Sequence, residues 1–229
     1  GRWIDSLVIR LADREGVAVP TTNAGPRKRD QIAGGYVHEV DSGMEPWVVV
    51  LDFKSMYPSI MIANNICSTT LVRDGAEDDS HSVSPTSGTK YLSKDVRVGL
   101  VPRLLEDLMA SRDRHKAALA KARKEGDEAE AFLQDQLQYA VKILMNSFYG
   151  VLGTPACRFH NPAIANAITG QGRHFLDWSK RWFEARGFEV LYGDTDSLFV
   201  RSEIADVARA QLIGERHAAE LNRDVAKYV

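Results

Sequence analysis

Two aspartates placed between two short apolar runs constrain this chain more strongly than any other feature of its sequence. The runs 188–191 and 198–200 are rich in residues that favour strands, and the Gly-Asp-Thr-Asp sequence near their junction is typical of a tight turn. The sequence therefore predicts a β-hairpin with an acidic tip. Because alternate residues of an extended segment share a face, Asp194 and Asp196 are expected to point the same way. A plain hairpin with acidic turn residues is the alternative, since Asp and Gly are common turn formers.

A third aspartate ends an apolar run far upstream. Residues 47–51 have the pattern of a buried strand, and Asp52 stands where a core residue would otherwise continue it. A buried carboxylate is costly without a partner, so we expect a cation, a donor or water beside Asp52. If the two acidic strand ends lie side by side, they bring together three carboxylates. Oxygen ligands of this kind suit Mg²⁺ or Mn²⁺.

Composition limits the possible classes of protein. The chain has 229 residues, of which 44% are hydrophobic and 26% charged, so it can bury a core. The formal net charge is −2, and any nucleic-acid surface must come from local clustering. No apolar run approaches the roughly 20 residues of a membrane helix, so no membrane partner is expected. Without a secretory leader, and with Cys67 and Cys157 forming no CxxC pair, an intracellular, cytoplasmic setting is predicted.

Helical periodicity dominates residues 3–14 and 102–150. In the second stretch the sequence Lys-Glu-Gly-Asp at 124–127 interrupts the pattern, which predicts two antiparallel helices joined by a short turn. Each of these helices carries a predicted apolar stripe. The stripe residues are Leu104, Leu105, Leu108 and Met109 on the first helix, and Leu133, Leu137, Ala140 and Leu144 on the second.

Polar side chains cluster on the same helical hairpin. Arg112 and Lys116 are four positions apart and share a face of the first helix. On the second helix Lys142, Asn146 and Tyr149 share a face that lies away from the apolar stripe. A single face of this sort is usually a solvated surface. Two such cationic faces on one hairpin favour a site that grips phosphate.

Other segments carry weaker signals. Pro58 suits the first turn of a helix, so the backbone amides of Ser55, Met56 and Tyr57 are predicted to cradle a triphosphate. Tyr57 would lie under the sugar or base of that nucleotide, or simply belong to the core.

The remaining predictions concern loop segments and one further helix. Gly34 and Gly35 would let backbone approach another molecule closely, with a plain bend as the alternative. The basic triplet 27–29 is either a phosphate contact or solvated charge. The polar stretch 73–90 is predicted to be a surface loop without chemistry, and residues 203–227 a further helix.

Three motifs together resemble one protein family. The stretches 52–60 (DFKSMYPSI), 142–150 (KILMNSFYG) and 192–197 (YGDTDS) are similar to motifs A, B and C of the family B DNA polymerases, in the same order. The resemblance covers residues 1 to about 215. It is greater to bacterial DNA polymerase II and its archaeal relatives than to the protein-primed members.

The resemblance implies an α+β fold. We expect a polymerase palm, with an antiparallel sheet packed on helices, and an inserted fingers domain made of two antiparallel helices. The expected boundaries are 1–100 for the first part of the palm, 101–150 for the fingers and 151–229 for the second part of the palm. The exonuclease and thumb domains of the family are expected to be absent from this chain.

The resemblance also implies roles for individual residues. Asp52 and Asp196, with the backbone of Phe53, would bind two Mg²⁺ or Mn²⁺ ions, and Asp194 would be a supporting catalytic residue. Tyr57 would exclude a ribose 2′-OH. The implied triphosphate-binding residues are Ser55, Met56, Tyr57, Arg112, Lys116, Lys142 and Asn146. The residues implied to pack near the nascent base pair are Tyr149 and Gly150, and those implied to contact DNA are Gly34, Gly35, Arg158 and Thr195.

Two positions depart from the family pattern. Ile32 replaces the tyrosine of the YxGG element, which puts the template-steering role of that element in doubt. Cys157 replaces the glycine of the TxxGR element when that element is aligned with residues 154–158.

The resemblance implies a reaction and its partners. The expected function is template-directed DNA synthesis by two-metal phosphoryl transfer, with primer–template DNA and deoxynucleoside triphosphates as partners and a nucleoid-associated location. A sliding clamp is an expected partner of segments outside this chain. A reverse transcriptase is one alternative, although its acidic hairpin usually reads Asp-Asp. A binding module without activity is the other.

Overall fold

The computed structural model describes residues 1–21, 32–35, 37, 43–72, 81–83, 87–202 and 204–226. The chain forms two compact units, the first made of Gly1–Ile32 with Tyr57–Ile168 and the second of Ala33–Met56 with Thr169–Val229. The boundaries of these two units differ from those predicted for the palm and the fingers. The palm and fingers domains stay a prediction. The elements are α1 (Arg2–Arg14), β1 (Val48–Asp52), α2 (Met56–Ala63), β2 (His81–Val83), β3 (Lys90–Leu92), α3 (Leu100–Glu125), α4 (Glu128–Gly153), α5 (Pro162–Glu184), β4 (Val190–Asp194), β5 (Ser197–Arg201) and α6 (Val207–Val225).

Helices with antiparallel sheets make up both units, as the predicted α+β class requires. None of the helices in the described ranges combines the length and apolar character that a membrane crossing needs. β2 pairs with β3 in a two-stranded antiparallel sheet, so the prediction of a plain loop over 73–90 is wrong. The basic triplet 27–29 lies outside the described residues.

The first unit is mainly helical. α1 buries Ile4, Val8 and Ala12 and packs on α3 and α4, which confirms the predicted helix over 3–14. α3 and α4 have 26 residues each and pack against one another as the predicted helical hairpin. Gly126 connects them in the left-handed region with φ +73°, and the carboxylate of Asp127 caps α4 by accepting a hydrogen bond from the amide of Glu130.

The structure confirms one of the two predicted apolar stripes of the helical hairpin and contradicts the other. On α3 the stripe is confirmed, because Leu105 is fully buried and its three partners are half-buried. On α4 the prediction is wrong, since Leu133 is 49% and Leu137 37% exposed, while Met145 and Phe148 are buried. The side of α4 that faces the middle of α3 is polar. Its hydrogen bonds to α3 run from the Arg112 Nε to the Gln138 Oε1 at 3.4 Å and between the His115 Nδ1 and the Gln134 Oε1 at 2.7 Å.

The second unit is built on a three-stranded antiparallel sheet with the order β1-β5-β4. Residues paired directly across such a ladder share a face. One face is apolar and includes the buried residues Val190, Leu198 and Val200. α6 lies against β1 where a Cβ on Gly214 would come within 2.9 Å of Val49 Cγ1, so only glycine allows this approach.

β1 differs from its prediction. It is an edge strand whose second face is open, with Val50 54% exposed, so it is not the strand buried on both faces that residues 47–51 predicted. Asp52 is exposed as well, and its carboxylate therefore has water available and needs no buried partner.

Candidate active site

The open face of the second unit's sheet carries a row of acidic and hydroxyl side chains. Asp52 at the end of β1 is paired with Ser197 at the start of β5, and Ser197 is paired in turn with Asp194 at the end of β4. Direct partners across an antiparallel ladder lie on the same face, so all three side chains project from one side of the sheet. The next row along this face, Val50 to Phe199 to Tyr192, is apolar and aromatic.

The turn between β4 and β5 places the remaining acid against β1. Thr195 and Asp196 form this two-residue turn, as the predicted hairpin requires. The Phe53 amide donates a hydrogen bond of 2.8 Å to the Asp196 carbonyl, which ties the end of β1 to the turn. Asp52 and Asp196, 144 positions apart along the chain, are thus brought to the same end of one sheet.

The arrangement of the three acids differs from the expectation in two respects. Asp194 ends a strand while Asp196 lies in the turn, so the alternation rule for an extended segment does not apply to this pair. Asp52 and Asp194 are not direct neighbours on the sheet, because Ser197 lies between them and their backbones are two strand spacings apart, about 10 Å. In the ranges that the structure describes, no three carboxylate, histidine or thiol groups form a ready-made metal cluster.

The pair Asp52 and Asp196 nevertheless fits a hard divalent cation. Asp52 is exposed and Asp196 half-exposed, so an ion can reach both carboxylates from solvent. This pair offers carboxylate oxygens, to which the resemblance adds the backbone carbonyl of Phe53, and oxygen-only donors of this kind suit Mg²⁺ or Mn²⁺. Asp194 has a different environment, because its Oδ1 accepts a hydrogen bond of 2.9 Å from the Thr195 hydroxyl. That bond suits a residue that supports the turn.

The segment after Asp52 turns sharply into α2. Ser55 has a positive φ of +50°, and the helix begins at the next residue, Met56. The first amides of an α-helix have no acceptor within the helix, and the helix dipole adds partial positive charge there. Met56 is buried and Ser55 half-exposed. The helix thus begins where the sequence places it, and the binding of a triphosphate by the amides of Ser55, Met56 and Tyr57 stays a prediction.

In the first unit, the structure joins two of the predicted residues from different motifs. The rings of Tyr57 and Tyr149 lie 4.7 Å apart at an angle of 46°. Both side chains are half-exposed. Gly150, the next residue, is exposed, and a Cβ there would meet no atom within 4 Å. This aromatic pair was not predicted from the sequence, which treated the two tyrosines separately.

The polar residues predicted to grip phosphate lie along the helical hairpin. Lys116, Lys142 and Asn146 are exposed. Arg112 is half-buried because its guanidinium donates to Gln138 across the hairpin. Three of the four residues are therefore presented to solvent, and the fourth is held by a neighbouring helix.

The predicted DNA contacts lie at several places. In the first unit, the Arg158 guanidinium donates a hydrogen bond of 2.6 Å to the Pro20 carbonyl. In the second unit, Gly34 and Gly35 are exposed, and Thr195 is half-exposed in the acidic turn.

Arg173 on α5 is a residue that the sequence reasoning missed. Its guanidinium donates to the carbonyls of Ala33 and Gly34. The sequence signal existed, because residues 169–173 read Thr-Gly-Gln-Gly-Arg and fit the TxxGR pattern without substitution. Residues 154–158 fit it only with Cys157 in place of glycine. Arg173 is therefore a second candidate for the role that the resemblance assigns to Arg158.

Comparisons with known proteins identify the same family as the three motifs. A family model described as DNA polymerase family B matches residues 2–228. The DNA polymerase of Thermococcus gorgonarius is 40% identical over 210 residues, which cover 90% of this chain. The DNA polymerase delta catalytic subunit of Bos taurus is 35% identical over an aligned length of 232 residues, and the alignment covers 94% of this chain.

A solved structure agrees with these relatives. The family B DNA polymerase from the hyperthermophilic archaeon Pyrobaculum calidifontis matches with a TM-score of 0.72 and 30% identity over 93% of this chain. This chain spans only part of each relative: 26% of the Thermococcus protein, 20% of the bovine subunit and 28% of the Pyrobaculum chain.

Proposed function

Because this chain belongs to the family B DNA polymerases, as its three motifs predict, we propose that it is the catalytic core of a template-directed DNA polymerase. In this proposal it adds deoxynucleotides to the 3′-OH of a primer. The observation that carries the proposal is the junction of the first and third motifs. The ladder from Asp52 through Ser197 to Asp194, and the hydrogen bond from Phe53 to Asp196, unite these motifs at one end of the sheet.

The acidic end of the sheet supplies the ligands for divalent ions. Asp52, Asp196 and the Phe53 carbonyl would hold two Mg²⁺ or Mn²⁺ ions, which when bound lower the pKa of the primer 3′-OH and neutralise phosphate charge. Asp194 supports this end of the sheet, because its carboxylate accepts a hydrogen bond from the Thr195 hydroxyl and so fixes the turn that carries Asp196.

The remaining residues bind and orient the nucleotide. The start of α2 offers the amides of Ser55, Met56 and Tyr57 to the triphosphate. The cations of the helical hairpin neutralise the charge that develops on the leaving pyrophosphate, which is the kind of electrostatic stabilisation that contributes most to such reactions. The cations proposed for this role are Arg112, Lys116 and Lys142, and the neutral amide of Asn146 is proposed to bind the same triphosphate.

The aromatic pair is proposed to select the sugar and base. Tyr57 would fill the space that a ribose 2′-OH needs, and Tyr149 and Gly150 would pack near the nascent base pair. The ring contact of 4.7 Å between the two tyrosines supports this role, because each ring restricts the movement of the other. A gate made of two packed rings excludes a hydroxyl better than one mobile ring.

The test is primer extension by the purified protein with Mg²⁺. Asp52→Asn and Asp196→Asn should each lower the rate by about 10³-fold or more, roughly 4 kcal/mol of transition-state stabilisation. Asp177→Asn is the matched control, since this carboxylate is 43% exposed on α5 and pairs only with Arg181 of its own helix among the ion pairs observed. The control should extend primers at the parental rate.

Three further outcomes would contradict parts of the proposal. A parent protein that binds primer–template but never extends it is a binding module. Extension on RNA templates in preference to DNA would point to a reverse transcriptase. If Tyr57→Ala leaves the discrimination against ribonucleotides unchanged, the gate role is wrong.

A further inference from the structure

The side of α4 that points away from α3 is apolar and open to solvent. Its five large side chains have exposed fractions from 37% to 69%, and the three smaller or polar residues among them are exposed as well. We call these eight residues the outward apolar face of α4: Ala129, Phe132, Leu133, Gln136, Leu137, Tyr139, Ala140 and Ile143. A surface helix normally turns such a stripe towards a core. A contiguous exposed patch of this kind is typical of a surface that contacts another protein.

The charges around this face favour a protein over nucleic acid or an anionic membrane surface. None of its eight residues is charged, and the exposed residues Glu128 and Glu130 lie at its amino-terminal end. Phosphates are bound by lysine and arginine, and helices that lie on anionic membranes carry the same residues on their polar side. The outward apolar face is instead suited to another apolar helix.

The spacing along the face is that of two helices packed along their length. Ala129, Phe132, Gln136, Tyr139 and Ile143 follow one another at alternating intervals of three and four residues, the repeat of a coiled coil. Gln136 is the middle member of this row and carries its only amide. A polar side chain in such a row fixes the alignment of the two helices, because it needs a polar partner. A helix with a polar residue at the same place in its own row supplies that partner.

We propose that the outward apolar face of α4 binds the same face of a second copy of this chain, with the two helices antiparallel and Gln136 at the two-fold axis. Residues equally far before and after Gln136 then face each other. Phe132 lies four positions before it and Ala140 four positions after it. Ile143 and Ala129 lie seven positions away on either side. Each of these two large side chains therefore meets a small one of the second copy, as close packing requires.

The charges along one flank of the face agree with the antiparallel direction. Glu128, Asp135 and Lys142 are seven positions apart and so share this flank. In the antiparallel pair Glu128 of each copy lies near Lys142 of the other, whereas a parallel pair would place each acid level with the same acid. Asp135, at the middle of the flank, accepts a hydrogen bond of 3.0 Å from Gln138 of its own helix. Exposed charges of this kind set the direction of pairing more than its strength.

The size of the face predicts a weak dimer. The exposed parts of its five large side chains amount to on the order of 500 Å² per copy, since an aromatic side chain buries ~150–250 Å² and an aliphatic one less. Two copies would bury roughly 1,000 Å², the lower limit for a specific interface. We therefore expect reversible association with a Kd on the order of 10–100 μM. The protein is then a monomer at the lower concentrations that suit unfolding in denaturant.

Sedimentation velocity measures the association from about 1 to 300 μM protein, either side of the expected Kd. Phe132→Ala removes the large partner and Ala140→Phe fills the space of the small one. Each should weaken the dimer about 10-fold, because a two-fold pair contains every contact twice. The double variant exchanges the large and the small partner and should return to within about three-fold of the parental Kd.

A disulfide cross-link tests the two-fold axis independently of this exchange. Gln136→Cys places two thiols beside each other in the proposed pair, so mild oxidation should link the two copies. Lys121→Cys on α3 is the control, since Lys121 is 74% exposed and lies outside the outward apolar face. The parent, with Cys67 and Cys157, gives the background of linking.

Leu212→Ala is the matched control for the loss of an exposed apolar side chain. Leu212 on α6 is 68% exposed and Phe132 is 69% exposed. The control should associate as the parent does, and every variant should melt with the parent because each change lies on an exposed position. A parent that stays a monomer throughout, or a double variant that associates no more tightly than the single ones, overturns the proposal. Equal weakening by Leu212→Ala, or equal linking through position 121, overturns it as well. Association is measured without DNA or nucleotide, so the result does not depend on the proposed function.

Discussion

The helical hairpin α3–α4 and the acidic β-hairpin β4–β5 make their turns in opposite ways. Between α3 and α4 the left-handed residue is Gly126, with φ +73°, and between β4 and β5 it is Thr195, with φ +51°. This conformation costs a residue with a Cβ roughly 1–2 kcal/mol and costs glycine almost nothing. The chain thus has an unstrained glycine where the turn only connects helices, and a strained threonine where the turn carries the proposed active site. Strain of this size persists where function requires it.

Hydrogen bonds show what the threonine contributes. Its hydroxyl donates to the Asp194 Oδ1 at 2.9 Å, and the Ser197 hydroxyl donates to the Asp194 carbonyl at 3.2 Å. Both flanking hydroxyls therefore fix the acid that precedes the turn. A glycine at position 195 would relieve the backbone and remove one of these donors. The difference between the hairpins indicates that the β-turn is built for the placement of its carboxylates, while the helical turn is built for connection.

Among the substitutions that compare the two hairpins, one on the helical hairpin should have the largest effect on activity. Lys142→Ala removes an exposed charge that we propose to act on the triphosphate, so kcat/KM for the nucleotide should fall about 100-fold, roughly 2.7 kcal/mol. Stability should change little. Lys121→Ala on α3 is the control, because Lys121 is 74% exposed and only 3.9 Å from Glu125 of its own helix. Equal rates for both variants, measured by single-nucleotide incorporation, would remove Lys142 from the proposed catalytic machinery.

Thr195→Gly tests the strain in the acidic turn. Relief of the left-handed backbone, about 1–2 kcal/mol, is offset by the loss of the hydrogen bond to Asp194, so the free energy of unfolding measured in denaturant should change by less than about 1 kcal/mol. The rate of primer extension should fall about 10-fold, because Asp194 loses a hydrogen bond worth about 1–2 kcal/mol. Thr195→Ser keeps the hydroxyl and should keep the rate. A glycine variant that is more stable and equally active would show that the threonine does not serve the site.

Gly126→Ala is the reciprocal change in the helical turn. A Cβ in this left-handed position should lower the free energy of unfolding by about 1 kcal/mol. Primer extension should stay at the parental rate below the melting transition, since the turn lies in a connection. Denaturant unfolding and the extension assay on the same sample check both parts. A rate that falls while stability is kept would mean that the helical turn also serves the reaction.

Local signals explain what the sequence predicted correctly. The acidic hairpin, the strand that ends at Asp52 and the turn at Gly126 each follow from a few adjacent residues with strong preferences. The ring contact between Tyr57 and Tyr149 and the ladder that joins Asp52 to Asp194 depend on strand order and helix packing. Neither follows from residues that are close in sequence. The three motifs identified the family, and the structure supplied the geometry.

The outward apolar face of α4 shows why one local pattern failed. The prediction considered α4 alone and turned its leucines inward. The facing side of α3 presents Arg112 and His115, which form hydrogen bonds with Gln138 and Gln134 of α4. Leucines in that position would have left these polar groups without partners, at a cost of about 1–3 kcal/mol for each buried group. These polar contacts between α3 and α4, which we call the polar seam, therefore determine which side of α4 faces α3.

The smallest effect should come from that outward face. Leu133 is 49% exposed, and glutamine has nearly the same helix propensity, so Leu133→Gln should change the free energy of unfolding by less than about 0.5 kcal/mol. Met145→Gln on the same helix is the matched comparison, because Met145 is 1% exposed. Burying its amide without a partner should cost about 2–4 kcal/mol. If denaturant unfolding gave Leu133→Gln the larger loss, α4 would be rotated from the orientation described, and the polar seam could not be what holds the hairpin together.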